Sequence, residues 1–492
     1  MIRIPGIEKQ KIAVYGLGAT GLAACEALVA SGAEVFSWDE APSARAKTKN
    51  TKFAAGQPKD WPWDELASLV LSPGVPLTHP KPHVIVRKAR QERVEIVGDV
   101  ELFARAVRGF EATGRATPNG KAPARPRGVA ITGSNGKSTT TALVGHVLKE
   151  AGKRVHVGGN IGLPILALPE LTADTTYVLE LSSFQLDLAK TFRPDVAVLL
   201  NVTPDHLDRH GDFARYVAAK KRIFRARRPG DLAIVGVDDE PWQSICAELR
   251  LAGRDVDFDG RAALWGGDVA PVSARGALGR GVFALGGRIF YRLGDASGEA
   301  GDVSGVAALR GPHNGQNAAA ALAAAMWEGV APVGAARAMT RFPGLPHRME
   351  TMGPRGGVLY VNDSKATNVE AAANALAAYK NVYWIAGGRA KEGGFASLKP
   401  LMREVRGAYL IGEAAREIES DLAGATPCFQ CGDLDAAFAR ARRDAESAGE
   451  PGPVVVLSPA CASQDQYKNF EERGAAFKKL VSAVNAADGE AA

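Results

Sequence analysis

An α/β fold in three domains, each built on a largely parallel sheet, is what this sequence predicts, and three observations carry the prediction. Short apolar, β-prone runs alternate with helical stretches along almost the whole chain, the order that parallel strands with crossover helices require. Most of those runs stop at glycines and polar residues, and open parallel sheets place ligand sites just beyond the carboxyl ends of their strands. The length of 492 residues exceeds one core, and about 150 residues per domain gives roughly three. The divisions fall at 1–108, 109–342 and 343–492, with a Gly-, Pro-, Lys- and Arg-rich linker at 109–127 that lacks apolar periodicity.

In the first domain, Lys11 to Tyr15 is a strand. Gly16-Leu17-Gly18-Ala19-Thr20-Gly21 turns it into a helix from Leu22 to Ser31, and the strand Glu34 to Trp38 ends in Asp39. This is a G-x-G-x-x-G unit with an acid 18 positions after its last glycine. Such a turn seats the diphosphate of a dinucleotide or of a nucleotide sugar, so an NAD-dependent dehydrogenase stands as one alternative. Leu69 to Leu71 is a further strand, and it runs into the loop Ser72-Pro73-Gly74.

The second domain opens on the stretch with the most specific chemistry. Gly128 to Ile131 is a buried strand, Thr132-Gly133-Ser134-Asn135-Gly136 a turn, and Lys137-Ser138-Thr139 the start of a one-sided helix. Gly133 and Gly136 let backbone N–H groups approach phosphate oxygens, the helix N-terminus adds partial positive charge, and Lys137 neutralises the outer phosphates. Ser138 is a candidate Mg2+ ligand. Ile131 stands where the general G-x-x-x-x-G-K-[ST] pattern has its first glycine.

Three more strands end in polar groups: Val155 to Val157 before Asn160, Tyr177 to Leu181 around Glu180 and before Gln185, and Val196 to Asn201 before His206. Asn160, Glu180 and His206 therefore line one sheet edge near Lys137. A buried carboxylate is costly without a partner, so a purely core role suits Glu180 poorly, whereas a histidine such as His206 is, taken alone, more often structural. Phe213 to Arg228 reads as a basic helix containing Lys220, residues 250–310 as short strands in an antiparallel excursion, and Gly311 to Asn317 as the cap of an alanine-rich helix reaching about Trp327.

The third domain repeats the logic. Val358 to Val361, Val382 to Ala386 and Val454 to Leu457 are strands. They lead into Asn362-Asp363-Ser364-Lys365-Ala366-Thr367-Asn368, Gly387-Gly388-Arg389-Ala390-Lys391 and Ser458-Pro459-Ala460-Cys461-Ala462-Ser463.

Seven stretches in order resemble the Mur ligases of peptidoglycan synthesis: 133–139, 158–162, 180–186, 201–206, 345–348, 362–368 and 458–463. The likeness runs from Gly16 to about Gly474. It implies a Rossmann-like N-terminal domain for a uridine diphosphate substrate, a central P-loop mononucleotide-binding ATPase domain, and a Rossmann-like C-terminal domain that admits an amino acid. Within the family the pattern is nearest to ligases that join D-glutamate to UDP-N-acetylmuramoyl-L-alanine through an acyl phosphate. Another Mur ligase or a folylpolyglutamate synthase is the neighbouring alternative, and a nucleotide-regulated binding protein the alternative from another class.

The resemblance also implies residue roles. Lys137, Glu180, His206 and Lys220 are catalytic, and ATP contacts come from Gly133 to Thr139, Asn314, Asn317, Arg348, Asp363 and Lys365. The uridine substrate takes Gly18, Ala19, Thr20, Asp39, Ser72, Gly74, Asn160 and Gln185; D-glutamate takes Thr367, Lys391, Ser463 and Phe470. Two Mg2+ ions are implied, one on Ser138 and Glu180, the other on His206 and a carbamylated Lys220. Two departures from the family pattern stand out: Pro312 replaces a larger polar residue, and no aspartate precedes Lys391.

Composition agrees with these expectations. A net charge of +6 suits an anionic substrate as well as nucleic acid, but the basic residues are dispersed and not interleaved with aromatics, so no nucleic-acid partner is expected. Five cysteines make no disulfide framework, and Cys428-Phe-Gln-Cys431 lacks a second metal-binding pair. With no membrane-length apolar run and no signal peptide, the expectation is a cytoplasmic protein, taken as a monomer.

Overall fold

The apolar runs become strands of three sheets. The first holds β1 (Lys11–Tyr15), β2 (Glu34–Trp38), β3 (Leu66–Leu71) and β4 (Glu95–Val97) in the order β2-β1-β3-β4, all parallel. The second holds β5 (Arg127–Thr132), β6 (Arg154–Gly159), β7 (Thr175–Glu180), β8 (Val196–Leu199) and β9 (Leu232–Gly236), continued by β10 (Val269–Ser273), β11 (Gly281–Leu285), β12 (Arg288–Leu293) and β13 (Ala296–Asp302). Its order is β13-β12-β11-β10-β9-β8-β5-β7-β6. The third holds β14 (Glu350–Arg355), β15 (Val358–Asn362), β16 (Val382–Gly387), β17 (Val405–Ile411), β18 (Cys428–Gly432) and β19 (Val454–Leu457), ordered β14-β15-β19-β16-β17-β18 and parallel except for β14.

This computed structural model describes residues 1–113, 125–228, 230–238, 245, 269–293, 296–391, 393–449 and 451–489. They group into two units, one of residues 1–301 and 316–339, the other of residues 302–315 and 340–492. The helix Pro312–Trp327 passes from the second unit to the first.

Strands β8, β16 and β19 are apolar throughout and buried at every residue, as strands covered on both faces are; β7 is equally buried although it carries Thr175, Thr176 and Glu180. In the first unit, the helix Lys137–Glu150 lays Leu143, Val144, Val147 and Leu148 on the sheet, all fully buried, each contributing about 1.5–3 kcal/mol. The first two sheets are tied together within that unit. Ile2 N–H donates to the Leu166 carbonyl at 3.1 Å, and Glu101 accepts from the backbone N–H groups of Lys190 and Thr191 at 2.9 and 2.8 Å.

Four expectations change. The first helix begins at Ala19, inside the glycine turn, not at Leu22. The linker is shorter than composition suggested, because the helix Asp99–Thr113 continues past residue 108, with Val107 and Phe110 packed on the core; residues 114–124 lie outside the described residues. The basic helix is Phe213–Lys221 followed by one 3-10 turn, Arg222–Phe224, that buries Ile223 and Phe224, so it stops short of Arg228. Strand β10 pairs parallel to both β9 and β11 and extends the main sheet, while β11 and β12 pair antiparallel; the expected strand content at 250–268 lies outside the described residues.

Candidate active site

Strand β5 lies between β7 and β8, with Ile131 opposite Glu180 and Thr132 opposite Leu199. The turn after Thr132 is thus flanked by the ends of both neighbours. It is braced from β8: Ser134 N–H donates to the Asn201 carbonyl at 2.8 Å, Asn135 N–H to Asn201 Oδ1 at 2.8 Å, and Asn201 Nδ2 back to the Asn135 carbonyl at 3.1 Å. Gly136 caps the helix with φ 80°, and a Cβ there would lie 2.3 Å from Asn317 Oδ1, so glycine is required on two counts. Lys137 Nζ folds back onto the Ser134 carbonyl at 2.7 Å, while Ser138 and Thr139 are buried at the first turn.

Glu180 closes β7 and is 2% exposed. Its Oε1 accepts from Asn160 Nδ2 at 2.8 Å, and its Oε2 is buried with no hydrogen-bond partner. An orphaned carboxylate oxygen beside a phosphate-type turn fits a cation. No cluster of three His, Cys, Asp or Glu side chains suited to a metal occurs among the described residues. That donor set suits Mg2+, which uses one or two protein carboxylates and takes its other ligands from substrate phosphates and water.

Lys220, expected to be catalytic although it sits in a basic helix, is 2% exposed. Its Nζ donates to the Gly133 carbonyl at 2.7 Å and lies 4.7 Å from the Tyr216 ring. Burial, and then the nearby Lys137 ammonium, hold its pKa well below the usual lysine range. Tyr216 is buried beside it, with its hydroxyl 3.0 Å from Ser134 Oγ. His206 takes a left-handed backbone, φ 55°, at the start of the short helix Leu207–His210. Its ring stands 5.1 Å from Phe184 and its Nε2 3.6 Å from Asp205 Oδ2.

The glycine turn of the first sheet is held by its own predicted residues. Asp39 Oδ2 accepts from Leu17 N–H at 2.6 Å and Oδ1 from Ala41 N–H at 2.8 Å, while Ser72 Oγ donates to the Gly16 carbonyl at 2.7 Å. Gly18 caps the helix Ala19–Ala30, which carries Ala19 and Thr20 in its first turn, and Gly74 is exposed in the loop after β3. Gln185, also expected at the uridine substrate, is engaged within the protein. It is 2% exposed, its amide nitrogen donates to Asp99 at 2.9 Å and its oxygen closes a capping box with Ser182, so it ties the helix Ser183–Asp187 to the start of the helix Asp99–Thr113.

In the second unit, Asp363 follows β15 and is buried, accepting from Met349 N–H at 3.1 Å and Ser458 Oγ at 2.9 Å; burial raises its pKa to about 6. Lys365 Nζ stands 3.7 Å from the Phe470 ring centre. Thr367 follows β15, Lys391 follows β16, Ser463 follows β19, and Phe470 opens the helix Phe470–Gly489. Because β15, β19 and β16 are adjacent, three of the four residues expected around an amino acid leave neighbouring strand ends. Asn314, buried in the same unit, donates to the Arg310 carbonyl at 2.8 Å; Asn317, in the first unit, accepts from Thr140 Oγ1 at 3.1 Å.

Sequence reasoning passed over three residues. Asn201 and Tyr216 brace the phosphate turn from behind. Arg473, 1% exposed, donates to Ser364, Gly387, Cys461 and Ala462. Nothing in Glu471-Glu472-Arg473-Gly474 distinguishes it from a surface helix charge, whereas Asn201 could have been found by its place opposite the turn.

Comparison with known proteins follows the same geometry. Residues 131–325 match the Mur ligase middle domain, and residues 347–461 the Mur ligase glutamate ligase domain. The chain is 49% identical, over 100% of both chains, to UDP-N-acetylmuramoylalanine--D-glutamate ligase of Caulobacter vibrioides. It is 48% identical to the ligase of the same name from Phenylobacterium zucineum, covering 100% of this chain and 99% of that one. Among solved structures, it resembles MurF ligase from Thermotoga maritima in complex with ADP at a TM-score of 0.56 and 16% identity, covering 97% of this chain and 96% of that one. UDP-N-acetylmuramate-alanine ligase MurC from Thermotoga maritima gives a TM-score of 0.55 at 17% identity, over 96% and 99%. The structural likeness establishes a shared fold, and with nearly half of all residues identical to full-length relatives, the chain belongs to the Mur ligase family.

Proposed function

We infer that the chain is an ATP-dependent, ADP-forming ligase that joins D-glutamate to UDP-N-acetylmuramoyl-L-alanine, a step of peptidoglycan synthesis. The observation that carries this reading is full-length identity of 49% to a ligase of that name. The phosphate turn and the orphaned Glu180 oxygen are what the chemistry of such a ligase needs.

The alanyl carboxylate attacks the γ-phosphorus of ATP, the bond to the β,γ-bridging oxygen breaks, and ADP leaves an acyl phosphate. The amine of D-glutamate then attacks the acyl carbon, a tetrahedral oxyanion forms, the C–O bond breaks to release phosphate, and the nitrogen gives up its proton. The first step drives anion against anion. Each pair of unit charges at 4 Å costs on the order of 1 kcal/mol in water and about 4 at an effective dielectric of 20, so fixed cations decide the rate. Lys137 supplies one, released from the Ser134 carbonyl to the phosphates. Ser138 with Glu180, and His206 with Lys220, would hold two Mg2+ ions, which would supply the remaining positive charge.

An ammonium on Lys220 would repel such an ion. Its burial beside Lys137 favours the neutral amine, whose lone pair adds to CO2 with loss of a proton and leaves an anionic carbamate. The carbamate nitrogen keeps one N–H for the Gly133 carbonyl. Gly18, Ala19, Thr20, Asp39, Ser72, Gly74, Asn160 and Gln185 carry over as the uridine substrate's residues, with Asp39 acting by shaping the glycine turn. Asn314, Asn317, Arg348, Asp363 and Lys365 carry over as nucleotide contacts, and Thr367, Lys391, Ser463 and Phe470 as the D-glutamate site. The reading includes a monomer working in the cytoplasm, with divisions near 108 and 342; among the described residues no helix is long and apolar enough to cross a membrane.

The test is ADP release with UDP-N-acetylmuramoyl-L-alanine and a panel of L- and D-amino acids. Release that needs both the acceptor and D-glutamate is the expected result. Equal use of L-glutamate, or preference for a diamino acid, contradicts it.

A further inference from the structure

Arg473 is the one arginine among the described residues that is almost wholly buried, and its guanidinium donates to five oxygens, none of them a carboxylate. They are Ser364 Oγ at 3.1 Å and the carbonyls of Ser364, Cys461, Gly387 and Ala462 at 3.0, 3.1, 3.4 and 3.5 Å. Burial lowers its pKa to about 10. Asp465, an acid whose charge acts on it, accepts from the Glu413 N–H through Oδ2 at 3.1 Å.

The five oxygens come from three segments, at the ends of β15, β16 and β19, which are neighbours in the sheet. The segments meet closely here: a Cβ on Gly388 would lie 2.2 Å from the Ala462 carbonyl, and Arg389 and Ala462 exchange backbone hydrogen bonds at 2.9 and 3.0 Å. Ser364 Oγ in turn donates to the carbonyl of Phe470 at 2.8 Å. Only a planar fork with five N–H groups reaches so many acceptors at once; a lysine ammonium has three donors in a cone.

We propose that Arg473 is the positioning residue of the amino-acid site, fixing the three strand ends from which Thr367, Lys391 and Ser463 depart, and so setting affinity and handedness for an α-amino dicarboxylate. The proposal rests on the reading of those residues as the D-glutamate site. Two anion-binding points and a reacting amine select one enantiomer only while the points keep their spacing, and spacing is what this guanidinium controls.

The experiment is steady-state ADP release by the full chain and by Arg473→Lys and Ser364→Ala, with KM measured separately for D-glutamate, ATP and the uridine substrate, D- against L-glutamate turnover, and thermal melting. The parent is assayed first; without D-glutamate-dependent ADP release, the underlying reading fails, whatever the variants do. With that release present, Arg473→Lys is expected to raise KM for D-glutamate roughly tenfold to a hundredfold and to erode the preference for the D-enantiomer, while KM for ATP stays within about twofold. Ser364→Ala shifts the same two quantities by less, and it decides the matter should Arg473→Lys fail to fold. Unchanged D-glutamate KM and chirality ratio overturn the proposal, as does an equal rise of all three KM values, which marks a general structural role.

Discussion

Lys137 illustrates how one residue's chemistry follows from position. It is the first residue of a helix whose cap is a left-handed glycine, so its side chain starts beside the turn's carbonyls and backbone N–H groups. Lys137→Ala is expected to lose on the order of 3 kcal/mol of transition-state stabilisation, about a hundredfold in kcat, with unchanged melting; near-parent turnover would refute the assignment. Asp99 makes a prediction of another kind. Burial raises its pKa from 3.8 to about 6, with one oxygen unpartnered and the other accepting from Gln185. The folded chain thus keeps a proton that the unfolded chain releases. Stability contributed by the protonated acid is present below pH 3.8 and is lost as pH rises through 6, by up to roughly 3 kcal/mol. Urea unfolding between pH 4 and 7 should show that slope in the parent and a flatter one in Asp99→Asn; equal slopes would contradict it. Single residues were also where the sequence was least legible. Lys220 and Arg473 look alike on paper, each a cation in a polar helical stretch, and only the packing of Tyr216 over one and of three strand ends around the other shows that both are buried.

Elements were more readable because a strand that ends in polar residues announces both its burial and its open end. Strands β5, β7, β8, β15, β16 and β19 were all recognisable in this way, with ends shifted by a residue or two. The misread segments lacked such contrast. Gly281–Leu285 and Val269–Ser273 are short and glycine-flanked, which fits a hairpin as well as a parallel pair, and the pairing is decided by which neighbour the sheet offers. Gln185, expected at the uridine substrate, closes a capping box at the start of the short helix Ser183–Asp187, a local role its sequence spacing from Ser182 also allows. The turn itself permits a strict test. Gly136→Ala demands a left-handed alanine with Cβ against Asn317, a strain of about 1–3 kcal/mol. The expected outcome is a lowered melting temperature together with a raised KM for ATP. An alanine variant with parent affinity would show that the turn does not need this glycine.

At the scale of the whole molecule, three sheets divide the work: a glycine turn shaped by Asp39, a phosphate turn braced by Asn201, and strand ends gathered by Arg473. The general α/β plan was visible in the alternation of runs, and the order of seven motifs pointed to the family, but how the chain divides into two units was not, since residues 302–315 join the second unit from within the middle of the sequence. Chelation provides a check at this scale. With EDTA the enzyme is expected to lose turnover and to regain it with Mg2+, whereas full activity without divalent metal would contradict the role given to Glu180. The central claim is that ATP activates the alanyl carboxylate as an acyl phosphate before D-glutamate attacks. The most direct measurement uses UDP-N-acetylmuramoyl-L-alanine labelled with 18O in that carboxylate and follows the label into the released phosphate by mass spectrometry. One 18O transferred to phosphate per D-glutamate joined is the predicted result; phosphate free of label, with ligation proceeding, would contradict the account.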